Sequence, residues 1–329
     1  MCQWSATEMK PKIYCLRLAY ADALDGNQLD YVEHEHNADF LLCSNTFPTD
    51  KDPSKTILLQ KESPLTKHRR WTYDNFHLFH TVVTHNPFGS NQIKFTDYPI
   101  TYPWWPIRVP TYTRANTTMT KRIICYFGRA SVGYASREDR WDTTTLYGTR
   151  TYLSQDLLQC DQYVVYGPAR FPNICMPGTI EGESARYVYR NWVGMNPKSK
   201  WSNIWPPKLH DINACGADFI LTLENCIQPN LIADKLFDAA ASDRVILYLG
   251  EPHIEKHVPL ECFVDLRPIF DRQTRRIDAQ ALLDITNNMT QDKYDSYIHA
   301  ARKWRSTFSS ARWHEERTKL TSTLIKRLS

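Results

Sequence analysis

The sequence predicts an α/β protein built from two doubly wound, parallel-sheet domains. Three observations carry this expectation. Short apolar runs in both halves end in polar loops, the pattern of strands buried on both faces whose C-terminal ends meet solvent. From Arg122 onward such runs alternate with helical stretches, as strand–helix–strand units require. The chain has 329 residues, 42% of them hydrophobic, which is enough for two ordinary cores.

In the N-terminal half the strands are Ile13–Leu18, Asp39–Cys43 and Thr56–Gln60. The second ends at the turn-forming Ser44-Asn45, and the third runs into Lys61-Glu62-Ser63-Pro64. Asn86–Tyr112 is rich in Pro and aromatic residues and reads as irregular structure between domains. Within it Trp104 and Trp105, flanked by Pro103 and Pro106, are read as pins between domains in preference to a sugar-stacking platform.

The second alternation opens with a strand from Ile123 to Phe127 and a charged loop from Gly128 to Asp142. A helix over Thr149–Leu158 and a strand over Tyr163–Gly167 follow. Asp218–Leu223 is a strand, and Leu231–Ser242 is an Ala-rich helix for which Asn230 is the expected N-cap. Arg244–Leu249 is a strand closed by Gly250. The expected domains are 1–121 and 122–290, with a helical tail over 291–329. There is no internal repeat and no low-complexity tract.

Composition excludes several classes. A net charge of +4 is low for a dedicated nucleic-acid binder. The basic stretch Arg302–Arg327 is interrupted by Glu315 and Glu316 and reads as a solvated helix face. Nine cysteines, with no C-x-x-C pair and several inside apolar runs, fit a reducing compartment. Met1–Lys10 has no apolar core of a signal peptide, and no run of about 18 apolar residues occurs. A cytoplasmic protein without a membrane span is therefore expected, and the sequons at Asn116 and Asn288 carry no meaning there. Glu33-His34-Glu35-His36 lacks a third ligand nearby and is set aside as a metal site. G-x-x-x-x-G-K-[ST], G-x-G-x-x-G and G-x-S-x-G are all absent.

The stretch from Phe219 to Val264 carries the chemistry. It reads as a strand, a Glu224-Asn225 loop, a helix bearing Asp234-Lys235, a second strand, and Gly250-Glu251-Pro252. A carboxylate beside an ammonium in the first turns of a helix, directly after a strand, suits a nucleotide sugar. The helix N-terminus and Lys235 would stabilise a diphosphate, and Asp234 would accept from ribose hydroxyls. Taken alone, an adjacent Asp-Lys pair is more commonly a solvated surface pair.

The wider pattern resembles the α-1,3-fucosyltransferase family. Leu223-Glu224-Asn225-Cys226, Ile232-Ala233-Asp234-Lys235, Asp238-Ala239, Tyr248-Leu249-Gly250, Pro252 and Cys262-Phe263-Val264 are similar to its donor-binding motif over about forty residues without a gap. Arg150, with Tyr166-Gly167 following it, resembles the family's Arg-bearing helix and closing Tyr-Gly. Glu62-Ser63-Pro64 resembles its Glu-Ser-Pro. Three departures stand out. The family's Thr-Glu-Lys is Ala233-Asp234-Lys235, a donor-contacting Tyr falls at Leu231, and Ser-Asn is replaced by Gly128-Arg129.

The resemblance implies a GT-B glycosyltransferase architecture, two Rossmann-like domains facing a cleft. It implies Arg150, Asn225, Asp234 and Lys235 as ligands of the nucleotide-sugar donor, GDP-fucose. It implies Glu62 as general base, taking the proton of an acceptor hydroxyl in an inverting transfer. Two fixed cations can neutralise a leaving diphosphate without a metal, so no cofactor is expected. The expected partners are a nucleotide-sugar donor and an oligosaccharide or glycoconjugate acceptor. Two alternatives stay open: a different donor, such as a UDP- or GDP-linked pentose or deoxyhexose, and a non-catalytic carbohydrate-binding protein on the same fold. The helical tail would pack back on the N-terminal domain, with Trp304 and Trp313 as anchors.

Overall fold

The computed structural model describes residues 10–16, 24–44, 47–48, 50–60, 74–84, 89–94, 119–126, 146–157, 160–167, 192–194 and 216–328. The chain divides into two units. One comprises Met1–Pro106, Pro229–Leu231 and Ser309–Ser329, the other Ile107–Gln228 and Ile232–Phe308.

The first unit holds a sheet of β1 (Lys12–Cys15), β2 (Asp30–Tyr31), β3 (Phe40–Ser44), β4 (Thr56–Gln60), β5 (Thr81–Thr84) and β6 (Gln92–Lys94). Their order is β2-β1-β3-β4-β5-β6, and every pairing is parallel. β4 is buried at all five positions, which is why its centre, Ile57-Leu58-Leu59, is continuously apolar. The first strand is Lys12–Cys15, Leu16 N–H still donates to Leu42 O at 2.9 Å, and Leu18, the expected end of the strand, lies outside the described residues. β2, β5 and β6 were not anticipated, because two to four residues are too few to show a period.

The second unit holds β7 (Ile123–Tyr126), α1 (Tyr147–Asp156), β8 (Tyr163–Gly167), β9 (Trp192–Gly194), β10 (Phe219–Leu223), α2 (Asp234–Ala241), β11 (Val245–Leu249) and β12 (Phe263–Asp265). Its sheet runs β12-β11-β10-β7-β8-β9, all parallel. Counted from the unit's own first strand this is the order 6-5-4-1-2-3 of a Rossmann fold, with the winding reversing between β7 and β10. The antiparallel pair β13 (Phe270–Asp271) and β14 (Arg276–Ile277) follows, then α3 (Ala279–Asn287) and α4 (Gln291–Ser306). The core gathers Ile123, Leu153, Phe219, Leu247 and Leu282 with Tyr294 and Ile298 of α4.

Asn230 does not cap α2. It sits at φ +59° in the preceding turn, and the N-cap is Ala233, whose side chain cannot cap. α2 closes on Asp243, at φ +53°, a left-handed position that Asp tolerates better than most residues. The buried Asp243 carboxylate accepts from Arg302 Nε at 3.0 Å and Nη2 at 2.7 Å, while Arg305 donates to Ala240 O at 3.0 Å. α4 is thereby fixed to the end of α2.

The expected helical tail is two helices with different hosts. In α4 the buried Tyr294, Ile298, Ala301 and Trp304 recur at helical spacing. Trp304 stacks on Phe237 of α2 at 5.6 Å, so it anchors the second unit and not the N-terminal domain. The last helix, α5 (Ser310–Leu328), belongs to the first unit. Its Leu320 and Leu324 enter the core of Ile13, Leu24, Ile57 and Val83. Thr321 Oγ1 accepts Asp25 N–H at 2.8 Å. Trp313 is buried beneath the Arg317 guanidinium, 4.2 Å from its ring centre.

Candidate functional site

In an open parallel sheet, ligands bind beyond the carboxyl ends of the strands where the winding reverses. In the second unit that place is the end of β10 beside β7. The segment leaving β10 is Glu224-Asn225, and the helix arriving from the other side is α1, carrying Arg150.

Arg150 is 4% exposed. Its Nη2 donates to the Leu223 carbonyl, to Glu224 O at 2.6 Å and to Asn225 Oδ1 at 3.3 Å. Asn225 O in turn accepts Leu146 N–H, just before α1, at 3.0 Å. A guanidinium suits this buried position because it stays protonated and is more weakly hydrated than an ammonium. Arg150 and Asn225, named separately from the sequence, are in direct contact.

Glu224, which the sequence reading assigned no role, lies between the two cations. Its side chain is fully buried. Its N–H donates to Leu249 O at 2.9 Å, joining the ends of β10 and β11. Oε1 accepts the N–H of Ala233, the N-cap residue of α2, at 3.0 Å and so satisfies one donor at the start of the helix. Oε2 stands 3.9 Å from Lys235 Nζ, and the Lys235 side chain retains 26% exposure. Glu224 packs over Gly250, where a Cβ would lie 2.3 Å from Glu224 Cγ and 2.6 Å from the Tyr248 hydroxyl. That hydroxyl accepts Glu251 N–H at 3.1 Å. Burial, reinforced by the Glu224 carboxylate, pushes the Tyr248 phenol well above its ordinary value, so it stays protonated.

A pocket opens at this point, lined by Cys125 of β7, Arg150, Leu221 and Leu223 of β10, and Lys235 and Asp238 of α2. The Cys125 thiol is pushed up to about 11, chiefly by burial, and serves as an apolar wall and not as a nucleophile. Asp238 is buried one turn beyond Lys235. Like Glu224, it belongs to the sequence pattern without an assigned role. The available signal was an acidic residue inside an otherwise apolar Ala-rich helix face.

Asp234 is the first residue of α2, and its side chain lies outside the described residues. Glu62 follows the end of β4 by two positions and also lies outside them, as do Trp104, Trp105 and the Gly128–Asp142 loop. Among the described residues no group of three His, Cys, Asp or Glu side chains could hold a metal ion. Among them, too, no helix is long and apolar enough to cross a membrane.

Two six-stranded parallel sheets in separate units, the second wound as a Rossmann fold, define the class: an α/β protein of the GT-B glycosyltransferase fold. Among the solved structures it is similar to are α1,3-fucosyltransferases. One is 11% identical, with 90% of this chain and 83% of that one aligned at a TM-score of 0.50. An α1,3-fucosyltransferase structure with GDP is also 11% identical, with 96% and 92% aligned at a TM-score of 0.50. No protein-family profile and no curated protein matches the chain.

Proposed function

We propose that the chain is an inverting, metal-independent glycosyltransferase that moves a sugar, L-fucose from GDP-fucose, to a hydroxyl of an oligosaccharide or glycoconjugate. One observation carries the reading. Arg150, Asn225 and Lys235 converge around the end of β10, at the winding reversal of a Rossmann sheet, in a fold shared with an α1,3-fucosyltransferase that holds GDP. The donor diphosphate would lie at the N-terminus of α2 against Lys235, where helix dipole and ammonium act together. Asp234 would take the ribose hydroxyls. Arg150 would contribute positive charge while fixing Asn225. Neutralising the departing diphosphate is the electrostatic half of the reaction. The other half is a base, and Glu62 beyond β4 is assigned to it.

The departures at Leu231 and Asp234 favour a second reading, in which the same machinery accepts another nucleotide sugar. A thermal-shift and turnover screen with GDP, UDP, CMP and their sugar conjugates separates the readings, because a ligand bound only by the native state raises its melting temperature. GDP-fucose stabilising the protein and being consumed with an acceptor glycan supports the first. Stabilisation by a UDP conjugate alone supports the second. Binding of glycans with no response to any nucleotide would leave a carbohydrate-binding protein.

A further inference from the structure

The charge on Glu224 has nowhere to go. Gly250 lies against its Cβ and Cγ, and Ala233 N–H holds Oε1 at 3.0 Å. Lys235 is different. Its ammonium sits on a flexible four-carbon stem, remains partly exposed and lines the pocket. Between them the distance is 3.9 Å, inside the range of charge attraction and outside that of a hydrogen bond. A fixed buried anion therefore faces a cation that can move.

We propose that Glu224 is the resident counter-ion of Lys235, a positioning residue that competes with the donor diphosphate for the ammonium. This rests on the reading of Lys235 as a diphosphate ligand. In the empty site Glu224 keeps the ammonium at the mouth of the pocket. When the diphosphate arrives, Lys235 turns toward it, and the Glu224 carboxylate then lies close to a second anion in a poorly solvated place. That repulsion weakens the hold on the nucleoside diphosphate product and favours its release, with Lys235 returning to Glu224.

The sign of the effect distinguishes this from a structural role. Glu224→Gln keeps the shape and an oxygen for Ala233 N–H but removes the charge. A structural role predicts unchanged or weaker nucleotide binding. Competition predicts tighter binding, by roughly two- to tenfold, the scale of a half-buried ion pair. The experiment is calorimetric titration of the full chain with GDP, and with inorganic pyrophosphate as a base-free probe, for wild type, Glu224→Gln, Glu224→Asp and Lys235→Ala. Expected are weaker binding by Lys235→Ala, tighter binding by Glu224→Gln, and a smaller tightening by Glu224→Asp, whose carboxylate is drawn back. If Lys235→Ala weakens binding while Glu224→Gln binds no tighter than wild type, the competition is overturned and the donor site stands. If Lys235→Ala binds both probes as wild type does, or wild type binds neither, both readings are overturned. Should Glu224→Gln not fold, Glu224→Asp decides: affinity at or below wild type overturns the proposal.

Discussion

Gly250 and Glu224 are packed so closely that the glycine cannot acquire a side chain without displacing the glutamate: a Cβ would fall 2.3 Å from Glu224 Cγ and 2.8 Å from Cβ. The contact explains why a strand ending in Gly accompanies a Glu-Asn loop 26 residues earlier, one strand–helix–strand unit away. Gly250→Ala is expected to destabilise the protein by about 1–3 kcal/mol, the usual cost of overpacking. It should also weaken GDP binding, because Glu224 positions the start of α2. Thermal denaturation and calorimetry on the same preparation check this. A variant with wild-type melting temperature and affinity would show that the site absorbs the extra methyl.

Arg150 joins three oxygens at the end of β10, so its replacement should act on folding as well as on the donor. Arg150→Ala is expected to cost about 1.5–3 kcal/mol through lost charge-assisted hydrogen bonds, and to reduce turnover strongly. Arg150→Lys retains the charge on a more strongly hydrated group that costs more to bury, and should recover part of the stability and little of the turnover. Equal behaviour of Lys and Arg would mean that position 150 supplies charge alone.

Glu62→Gln is expected to nearly abolish transfer and leave donor affinity almost unchanged. The amide keeps the size of the side chain but cannot take a proton, and a positioned general base contributes on the order of a hundred- to ten-thousand-fold. Steady-state rates with GDP-fucose, compared with the affinity for GDP, separate the two effects. A wild-type rate would move the search to Asp39 or Glu35.

Transfer is expected to survive EDTA. The proposed charge neutralisation uses Lys235, Arg150 and the N-terminus of α2 in place of Mg²⁺ or Mn²⁺. Loss of activity on chelation, restored by Mn²⁺, would overturn that mechanism.

The attachment of α5 to the first unit should weaken in acid. Burial pushes the Asp25 carboxyl up, but hydrogen bonds from Gln28, Asn27 N–H and Thr318, with the Arg317 charge, outweigh it and hold the group below its ordinary value of 3.8. A lowered folded value contributes stability above 3.8 that is lost as pH falls through it. Hydrogen exchange in Ser310–Leu328 is therefore expected to accelerate below 3.8, and Asp25→Asn should flatten that dependence. Exchange that is independent of pH in wild type, after correction for intrinsic rates, would remove Asp25 from the account.

The sequence by itself determined the class of fold and named the residues of the proposed donor site. The continuous apolar runs at Thr56–Gln60, Phe219–Leu223 and Val245–Leu249 are strands because a parallel strand is buried on both faces and can be little else. Arg150, Asn225 and Lys235 are named from the sequence by their resemblance to a donor-binding motif, and the folded chain brings Arg150 against Asn225 and sets Arg150 and Lys235 on one pocket. Tertiary structure decided the rest. The role of Glu224 depends on Ala233, Lys235 and Gly250 meeting it from three different segments, and no local window contains that convergence. The N-cap of α2 is Ala233 and not Asn230, and the donor at that position is met by a buried carboxylate from the strand's end, a contact that no local window contains. Trp304 and Leu320 lie sixteen residues apart on two amphipathic helices, yet they serve different cores. Periodicity tells which face of a helix is buried; only the packed chain tells against what, because apolar burial has no direction of its own.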